Sequence, residues 1–373
     1  MLSSNKHSFF FAIILISLLT QITAAQQGAS PQWPASPNPV ADIVIVGIDA
    51  QTLDNIGYSN GADGLTYRGS FPLDRSWYAK LTTELVKAEA RIIAFDMQFG
   101  PEADPQSGKL FALAVKKSPV PVIIGFEEIP RPLPYVSKVD LRRYATRIQP
   151  ANSNAPQADF LALPFQEILS AGALLGSTAT HDDPDNVLRN MPLFVKNSGY
   201  VLPAITLQIF LQSIGASVAD IQLSASASGR FLSVHGKQFP LSADDGFRVA
   251  FPPHKSAFVF RSFYDVVTVK DAYKKGAAAA HDRRMKSWFR DKIVIVGFQD
   301  ASLKDLKRTP AGGSYPGVEA LAAAVNHLLN VYAGPGAVRT AKGKPKRSLN
   351  EKPSKPPRNT NIDIAVEQLK KIE

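Results

Sequence analysis

The chain has 373 residues, 45% of them hydrophobic, which is enough for one large domain or two medium ones. It contains no cysteine, and this excludes disulfides, thiol catalysis and cysteine-ligated zinc or iron–sulfur sites. The formal net charge is +10, but residues 339–358 hold eight basic residues and one acidic residue, so most of the charge belongs to this segment. The rest of the chain is nearly balanced, and a basic face that binds nucleic acid is not expected.

The amino end predicts a secretory signal. Lys6 and His7 precede an apolar run over residues 9–19, and the small residues before Gln26 lead into a polar stretch. These are the three parts of such a signal. We predict cleavage after Ala25, a flexible leader over residues 26–41 and a periplasmic or secreted protein. The alternative is an inner-membrane anchor formed by an uncleaved helix, although the apolar run is shorter than the ~20 residues of a spanning helix.

Three apolar stretches predict the centre of the fold, namely Asp42–Asp49, Arg91–Asp96 and Lys292–Gly297. Apolar runs without polar alternation are typical of strands buried on both faces, as in a parallel sheet covered by helices. Apolar residues at helical spacing over Arg75–Ala90 predict a helix, and this helix connects the first two strands in a βαβ unit. Ligands bind beyond the carboxyl ends of such strands. The sequence therefore predicts a pocket near Asp49, Asp96 and Asp300.

Further elements follow the same pattern, with a mixed or antiparallel section in the middle. The loop predicted after the first strand includes Gln51–Asp54, and a long insertion or lid is predicted over residues 128–160. Polar alternation over residues 231–269 predicts antiparallel strands, which form either a subdomain or one edge of the sheet. The other predicted elements are helices at 109–117, 164–171, 202–214 and 317–329, strands at 121–125 and 187–195, and a turn at 181–185. The fold class is α/β, with a mostly parallel central sheet covered by helices.

The carboxyl end predicts a tail without a core. From residue 331 onward Gly, Pro, Lys and Ser dominate, and such a segment buries too little apolar surface to offset its chain entropy. Residues 361–372 have the pattern of one or two helical turns. We therefore place the folded domain at residues 42–330 and a basic disordered tail at residues 331–373.

Six stretches occur in order along the chain: Asp42–Asp49 with Leu53 and Gly57, Phe71–Arg75, Ala94–Asp96, Asp183–Asp185 with Val187 and Arg189, Lys292–Gly297, and Pro316–Glu319. In this order they resemble the CHASE2 family, the extracytoplasmic sensory domains of bacterial receptors. The chain departs from the family pattern at Phe71 and Leu73, where the family has tryptophans, and at Leu321 and Ala323, where it often has histidine and asparagine. Family members usually continue into transmembrane helices and a cytoplasmic cyclase, kinase or phosphatase module. We find none here and expect at most the sensing half of a receptor.

Charged residues near the predicted strand ends and turns are the candidate ligand-binding residues: Asp49, Arg75, Asp96, Asp183, Asp185, Arg189 and Asp300. Asp49 and Asp96 have two interpretations, a shared hard cation or separate capping of helix or loop amides. Asp183 and Asp185 lack the remaining ligands of a calcium loop, so a turn is the expected role. Arg75 and Arg189 are expected to pair with acids or to bind an anion. We predict no metal and no cofactor.

Two functions of different classes remain. The first is a non-catalytic module outside the cytoplasm that binds an unknown small ligand or a membrane-bound signalling partner. The sequence is compatible with a homodimer of this module but does not determine the oligomeric state. The second is a secreted α/β hydrolase that uses Asp49 and Asp96 with water or a metal. The six histidines show no metal-ligand spacing, and no phosphate-binding glycine motif follows a strand. The first function is therefore preferred, and no enzyme activity is expected.

Overall fold

The computed structural model describes residues 42–60, 66–68, 71–101, 105–133, 139–252, 257–269 and 273–334. The predicted signal, the leader and the tail beyond residue 334 lie outside these ranges. Within them, no helix combines the length and the apolar character that crossing a membrane requires.

The described part of the chain contains eighteen strands and eight α-helices, each numbered in chain order. The strands are β1 (Ile43–Ile48), β2 (Tyr58–Asn60), β3 (Thr66–Arg68), β4 (Ile92–Gln98), β5 (Val122–Ile129), β6 (Phe160–Ala162), β7 (Leu174–Ser177), β8 (Asn190–Pro192), β9 (Phe194–Asn197), β10 (Tyr200–Pro203), β11 (Ile221–Ser226), β12 (Gly229–Val234), β13 (Lys237–Leu241), β14 (Gly246–Arg248), β15 (Val259–Ser262), β16 (Ile293–Phe298), β17 (Leu306–Arg308) and β18 (Ser314–Pro316). The helices are α1 (Ala50–Ile56), α2 (Arg75–Lys87), α3 (Pro105–Lys117), α4 (Gln166–Ser170), α5 (Ile205–Ser213), α6 (Phe263–Val267), α7 (Ala277–Phe289) and α8 (Gly317–Ala333).

A central sheet organises the molecule. Its order is β15-β1-β16-β4-β5, and β5 then pairs with β7 along one part of its length and with β6 along another. All of these pairings are parallel except the one between β5 and β6. The three strands that the sequence predicts as the core are direct neighbours, with β16 between β1 and β4. The predicted α/β fold with a mostly parallel sheet is confirmed.

The two faces of the sheet carry different layers, because successive side chains of a strand point to opposite sides. On the first face, Val44, Phe95 and Val296 pack against a hydrophobic cluster that includes residues of α1, α2, α3, α4, α6 and α7. On the second face, Ile45 and Ile295 belong to a separate cluster with α5, α8 and the antiparallel strands. The sheet is thus covered on both sides, which explains the unbroken apolar runs of its strands.

The middle of the chain forms the antiparallel section that the sequence predicts. Strands β11, β12 and β13 make one antiparallel sheet, β9 pairs with β10, and β8 pairs with β14. The stretch predicted as a single strand over residues 187–195 is instead two strands, β8 and β9, which pair with different partners. Pro192, the last residue of β8, has no N–H to continue a ladder, and the chain changes partner there.

Three further predictions are corrected by the structure. Residues 51–54, predicted as loop, lie in α1, because the Asp49 carboxylate caps this helix. The helix predicted over residues 202–214 begins at Ile205, since Pro203 still pairs with Phe194 at the end of β10. The stretch 257–264, predicted to be antiparallel, contributes β15, which runs parallel to β1. It is an edge strand, with one side left unpaired by the described strands, and its residues are more exposed than those of β1.

Candidate functional site

A cleft of about 710 Å³ opens on the second face of the sheet, beyond the carboxyl ends of β4, β5 and β7. The first residues of α5 and α8 form its opposite wall, and the segment that leads into β17 borders its mouth. Its ionisable lining residues are Asp96, Glu127, Glu128, Asp159, His181, Lys304, Asp305 and Lys307. The cleft therefore lies where ligands bind in open α/β sheets, with five carboxylates against two lysines and one histidine.

The strand period places two of these carboxylates in the cleft. Ala94 and Ile123 belong to the second-face core, and their strands carry Asp96 and Glu127 at even spacings beyond them. Both strands therefore change from apolar to acidic on the same face as they leave the core. The acids lie on adjacent strands at the rim, beyond the last buried layer.

Asp305 enters the cleft from the loop before β17. The backbone N–H of Gly317, the first residue of α8, donates to the Asp305 carbonyl at 2.9 Å. Gly317 also leaves room for the carboxylate, because a Cβ at this position would lie 2.3 Å from Asp305 Oδ2. Lys307 Nζ lies 4.0 Å from Asp305 Oδ1 and provides partial compensation for its charge.

Three carboxylates of the cleft, those of Asp96, Glu127 and Asp305, resist ionisation. The pKa of Asp96 is raised to about 8, mainly by removal from bulk water and also by the negative charge of Asp305, while Lys307 opposes the increase. Desolvation likewise raises the pKa of Glu127 and the pKa of Asp305, although Lys307 opposes the latter. Neighbouring carboxylates repel each other when both are ionised, and with few cations nearby this repulsion favours the protonated form. Asp96 is accordingly mostly neutral at pH 7.

Glu128 anchors a second polar group at the cleft wall. It accepts a hydrogen bond from Ser177 Oγ at 3.1 Å, and His181 Nε2 lies 3.4 Å from its other oxygen. The hydrogen bond to Glu128 raises the pKa of His181, despite the opposing effect of burial. Ser177 Oγ faces the carboxylate, and the histidine contacts Glu128. This is therefore no nucleophile–base pair.

Asp49 has a structural role at the end of β1. Its Oδ1 accepts hydrogen bonds from Thr52 N at 2.9 Å, from Thr52 Oγ1 at 2.6 Å and from Ser262 Oγ at 2.9 Å. These contacts cap α1 and join it to the edge strand β15. Of the two interpretations of Asp49, the structure shows the capping of a helix. Asp49 does not line the cleft.

Asp183, Asp185 and Arg189 form one local ion-pair cluster. Arg189 Nη1 lies 2.7 Å from Asp183 Oδ2, and Arg189 Nη2 lies 2.8 Å from Asp185 Oδ2. The paired guanidinium lowers the pKa of Asp185, and the carboxylates raise the pKa of Arg189. Arg189 therefore pairs with the two acids of the turn. Of the two roles expected from the sequence, pairing with acids or binding an anion, the structure shows the pairing.

The remaining two candidates also lie outside the lining of the cleft. The Arg75 guanidinium carbon lies 4.2 Å from the centroid of the Phe165 ring, and the side chain donates to the carbonyl of Gly100. Asp300 Oδ1 accepts from Ser302 N at 2.8 Å in the turn after β16. Of the seven predicted site residues, the structure brings only Asp96 into the cleft. None of the described residues forms a group of three or more acids, histidines or cysteines with metal-binding geometry.

The comparisons with known proteins give one match. The model of the CHASE2 domain family matches residues 9–351. This chain belongs to the CHASE2 family. No curated protein and no solved structure matches it.

CHASE2 domains are sensory domains, and the family assignment confirms the resemblance inferred from the sequence. Leu321, one of the two positions in the last helix where this CHASE2 chain departs from the family pattern, lines the cleft. The residues that sequence reasoning missed are Glu127, Glu128, His181, Asp305 and Lys307. A signal for two of them was present, because Glu127 and Glu128 directly extend an apolar run. The predicted strand ends at Gly125 and the predicted insertion begins at residue 128, so neither glutamate falls within a predicted strand.

Proposed function

We propose that this CHASE2 chain is a non-catalytic ligand-sensing module and that its ligand binds in the cleft beyond β4, β5 and β7. The observation that carries the proposal is the cleft itself, about 710 Å³ in volume, with Asp96 and Asp305 held in it at raised pKa. A cavity of this size accommodates a small organic molecule. Retaining carboxylates in a partly dehydrated site reduces stability, and such a cost is typical of functional sites.

The excess of carboxylates over lysines favours a small polar cation, such as an amine. A positive charge beside Asp96 and Asp305 favours their ionised forms and lowers their pKa. Binding therefore releases a proton from Asp96 below pH 8, and the affinity for the cation increases between pH 6 and pH 8. Lys307 and His181 offer hydrogen-bond donors to acceptor atoms of the same ligand.

The hydrolase alternative has less support. It requires Asp49 and Asp96 to act on one water or metal, but one oxygen of Asp49 already accepts three hydrogen bonds, two from Thr52 in α1 and one from Ser262 in β15. The described residues offer no metal-binding cluster. A divalent ion that stays with the protein after dialysis would favour this alternative.

The place of action that we propose is outside the cytoplasm, as the predicted signal and the family indicate. The expected recipient of the signal is a membrane-bound partner that carries an output module. Its identity does not follow from the cleft, and the ligand-binding test does not depend on it.

Thermal-shift titration tests the proposal. The full chain is screened at pH 8 against small organic amines and, as a comparison group, against carboxylates and phosphates of similar size. We expect stabilisation by one or more amines and loss of the effect in Glu127→Gln and Asp305→Asn. Glu167→Gln removes an exposed acid on α4 outside the cleft and serves as the matched control. Stabilisation that survives both cleft substitutions would contradict a site in the cleft.

A further inference from the structure

The outer edge of strand β15 is a surface that the central sheet leaves open. The strand pairs with β1 on one side, and none of the described strands pairs with its other side. Two adjacent large apolar residues of this strand are exposed, Val259 at 45% and Phe260 at 37%. An open edge with apolar side chains is a template for pairing with a further strand, and proteins usually cover or charge such edges.

Two arginines beside this edge lie against one tryptophan. The guanidinium carbons of Arg261 and Arg284 lie 4.5 Å and 5.2 Å from the centroid of the Trp288 ring, and both side chains are partly exposed. Arg261 Nη1 donates to the Phe260 carbonyl at 2.8 Å, and Arg284 Nη2 contacts His281 Nδ1 at 3.0 Å. In the described part of the chain, no carboxylate lies within ion-pair distance of either guanidinium. The edge therefore carries positive charge that these residues do not neutralise.

The register of β15 determines which side chains an added strand needs. Arg261 aligns with Val46 of β1, which packs on the first face of the sheet. Phe260 aligns with Ile45, which packs on the second face. Val259 lies two residues before Arg261 and therefore belongs to the first face as well. A complementary strand places an acidic side chain opposite Arg261 and apolar side chains opposite Val259 and Phe260.

A second copy of the same edge does not meet this requirement. Residues 257–262 contain no acidic residue. When two β15 strands pair about a two-fold axis perpendicular to the sheet, the first faces of both copies coincide, so Arg261 of one copy lies opposite a first-face residue of the other. The first-face residues of β15 are Val259 and Arg261, and neither neutralises a guanidinium. The charge favours a partner that supplies an acid.

We infer that the β15 edge binds an extended segment of a separate protein as an additional strand of the central sheet, with an Asp or Glu of that segment opposite Arg261. In this mode of recognition, main-chain hydrogen bonds supply affinity and side chains at alternate positions supply specificity. The acid neutralises Arg261, and apolar neighbours remove Val259 and Phe260 from water. No residue of β15 lines the cleft, so this interaction does not depend on the ligand proposed for it.

A synthetic peptide tests the inference. Its sequence is Ser-Glu-Ile-Val-Ile-Glu-Ser, with blocked ends and a fluorescent label, and it offers the same pattern in parallel and in antiparallel pairing. The comparison peptide carries Lys in place of both Glu residues. By fluorescence anisotropy with the full chain, we expect the Glu peptide to bind about tenfold more tightly, because Lys replaces an attractive cross-strand pair with a repulsive one. Hydrogen exchange should show protection of Val259–Ser262 by the bound Glu peptide.

A charge reversal in the protein makes the test specific. Arg261→Glu is expected to reverse the preference, so that the Lys peptide binds about tenfold more tightly than the Glu peptide. Circular dichroism checks the fold of this variant. If Arg261→Glu does not fold, Arg261→Gln takes its place and should bind both peptides equally. The matched control is Arg283→Glu, which changes the charge of an exposed arginine on α7 and should keep the preference of the parent.

Four results would overturn the inference. The first is no binding of the Glu peptide to the parent at about 1 mM, and the second is equal affinity of the parent for both peptides. The third is a preference for the Glu peptide that Arg261→Glu and Arg261→Gln leave unchanged, since this would assign the binding to other basic residues. The fourth is self-association of the parent in sedimentation equilibrium that the Arg261 variants change, because a second copy would then occupy the edge.

Discussion

The Asp96→Asn substitution tests the electrostatics of the cleft directly. The folded protein holds the Asp96 proton up to a pKa of about 8, against an ordinary value of 3.8. Because the folded state binds this proton more tightly than the unfolded chain, the contribution of Asp96 to stability falls as the pH rises from 4 to 8. At about 1.4 kcal/mol per pH unit, the upper limit of this loss is ~6 kcal/mol.

The expected effect is smaller than this limit. Asp96 is partly exposed to the cleft, and solvent there weakens its repulsion from Asp305. We take about half, ~3 kcal/mol, as the cost of ionising Asp96 in the folded protein. Asparagine has a similar shape and stays neutral. The variant is therefore expected to exceed the parent in stability by ~3 kcal/mol at pH 9 and to differ by less than ~1 kcal/mol at pH 5, where the parent carboxyl is neutral too.

Urea unfolding at pH 5, 7 and 9, followed by tryptophan fluorescence, measures this difference. Glu167→Gln is the control and is expected to show no comparable dependence on pH. A loss of ~3–5 kcal/mol in Asp96→Asn at pH 9 would refute the reasoning, because it is the result for half of a buried ion pair. The structure shows no such pair for Asp96 among its described residues, and Lys307 is the cation whose charge acts on it.

Three further outcomes are expected. In an NMR titration His181 should titrate above ~6.5, because Glu128 favours its charged form, and Glu128→Gln should lower its pKa toward that value. Gly176→Ala should reduce the free energy of unfolding by more than ~3 kcal/mol, since a Cβ there would lie 2.4 Å from Ile205 Cα. Gly172→Ala meets no atom within 4 Å and should cost only ~1 kcal/mol, through its φ of +92°. Export predicts that amino-terminal sequencing of the mature protein begins near Gln26, and an intact Met1 in the cytoplasm would contradict it.

The fold was predictable where burial dominates the sequence. Strands β1, β4 and β16 are buried on both faces, so each is an apolar run that needs no tertiary information to recognise. The pattern fails where tertiary contacts decide. Helix α7, for example, carries mostly Ala, Arg and Lys, and only His281, Met285 and Phe289 are buried, which was too weak a stripe for the sequence to reveal.

The site was predictable as a location but not as a set of residues. The rule for strand ends points to the correct rim and to Asp96. It cannot distinguish a carboxylate that caps a helix, as Asp49 does, from one that stays in a cavity, because both follow an apolar strand. Asp305 comes from a loop more than 200 residues away in sequence from Asp96, and only the packing of α8 against the sheet brings the two together.

The order of strands in the sheet has a consequence for synthesis. Both neighbours of β1, which ends at Ile48, come from late in the chain, β15 at Val259–Ser262 and β16 at Ile293–Phe298. During translation β1 therefore emerges long before either partner exists, and the central sheet cannot close until residue 298 has been made. Such long-range pairing delays folding. A chain that is threaded across a membrane as its amino end predicts would benefit from this delay, because the nascent polypeptide stays unfolded until almost the whole domain has passed.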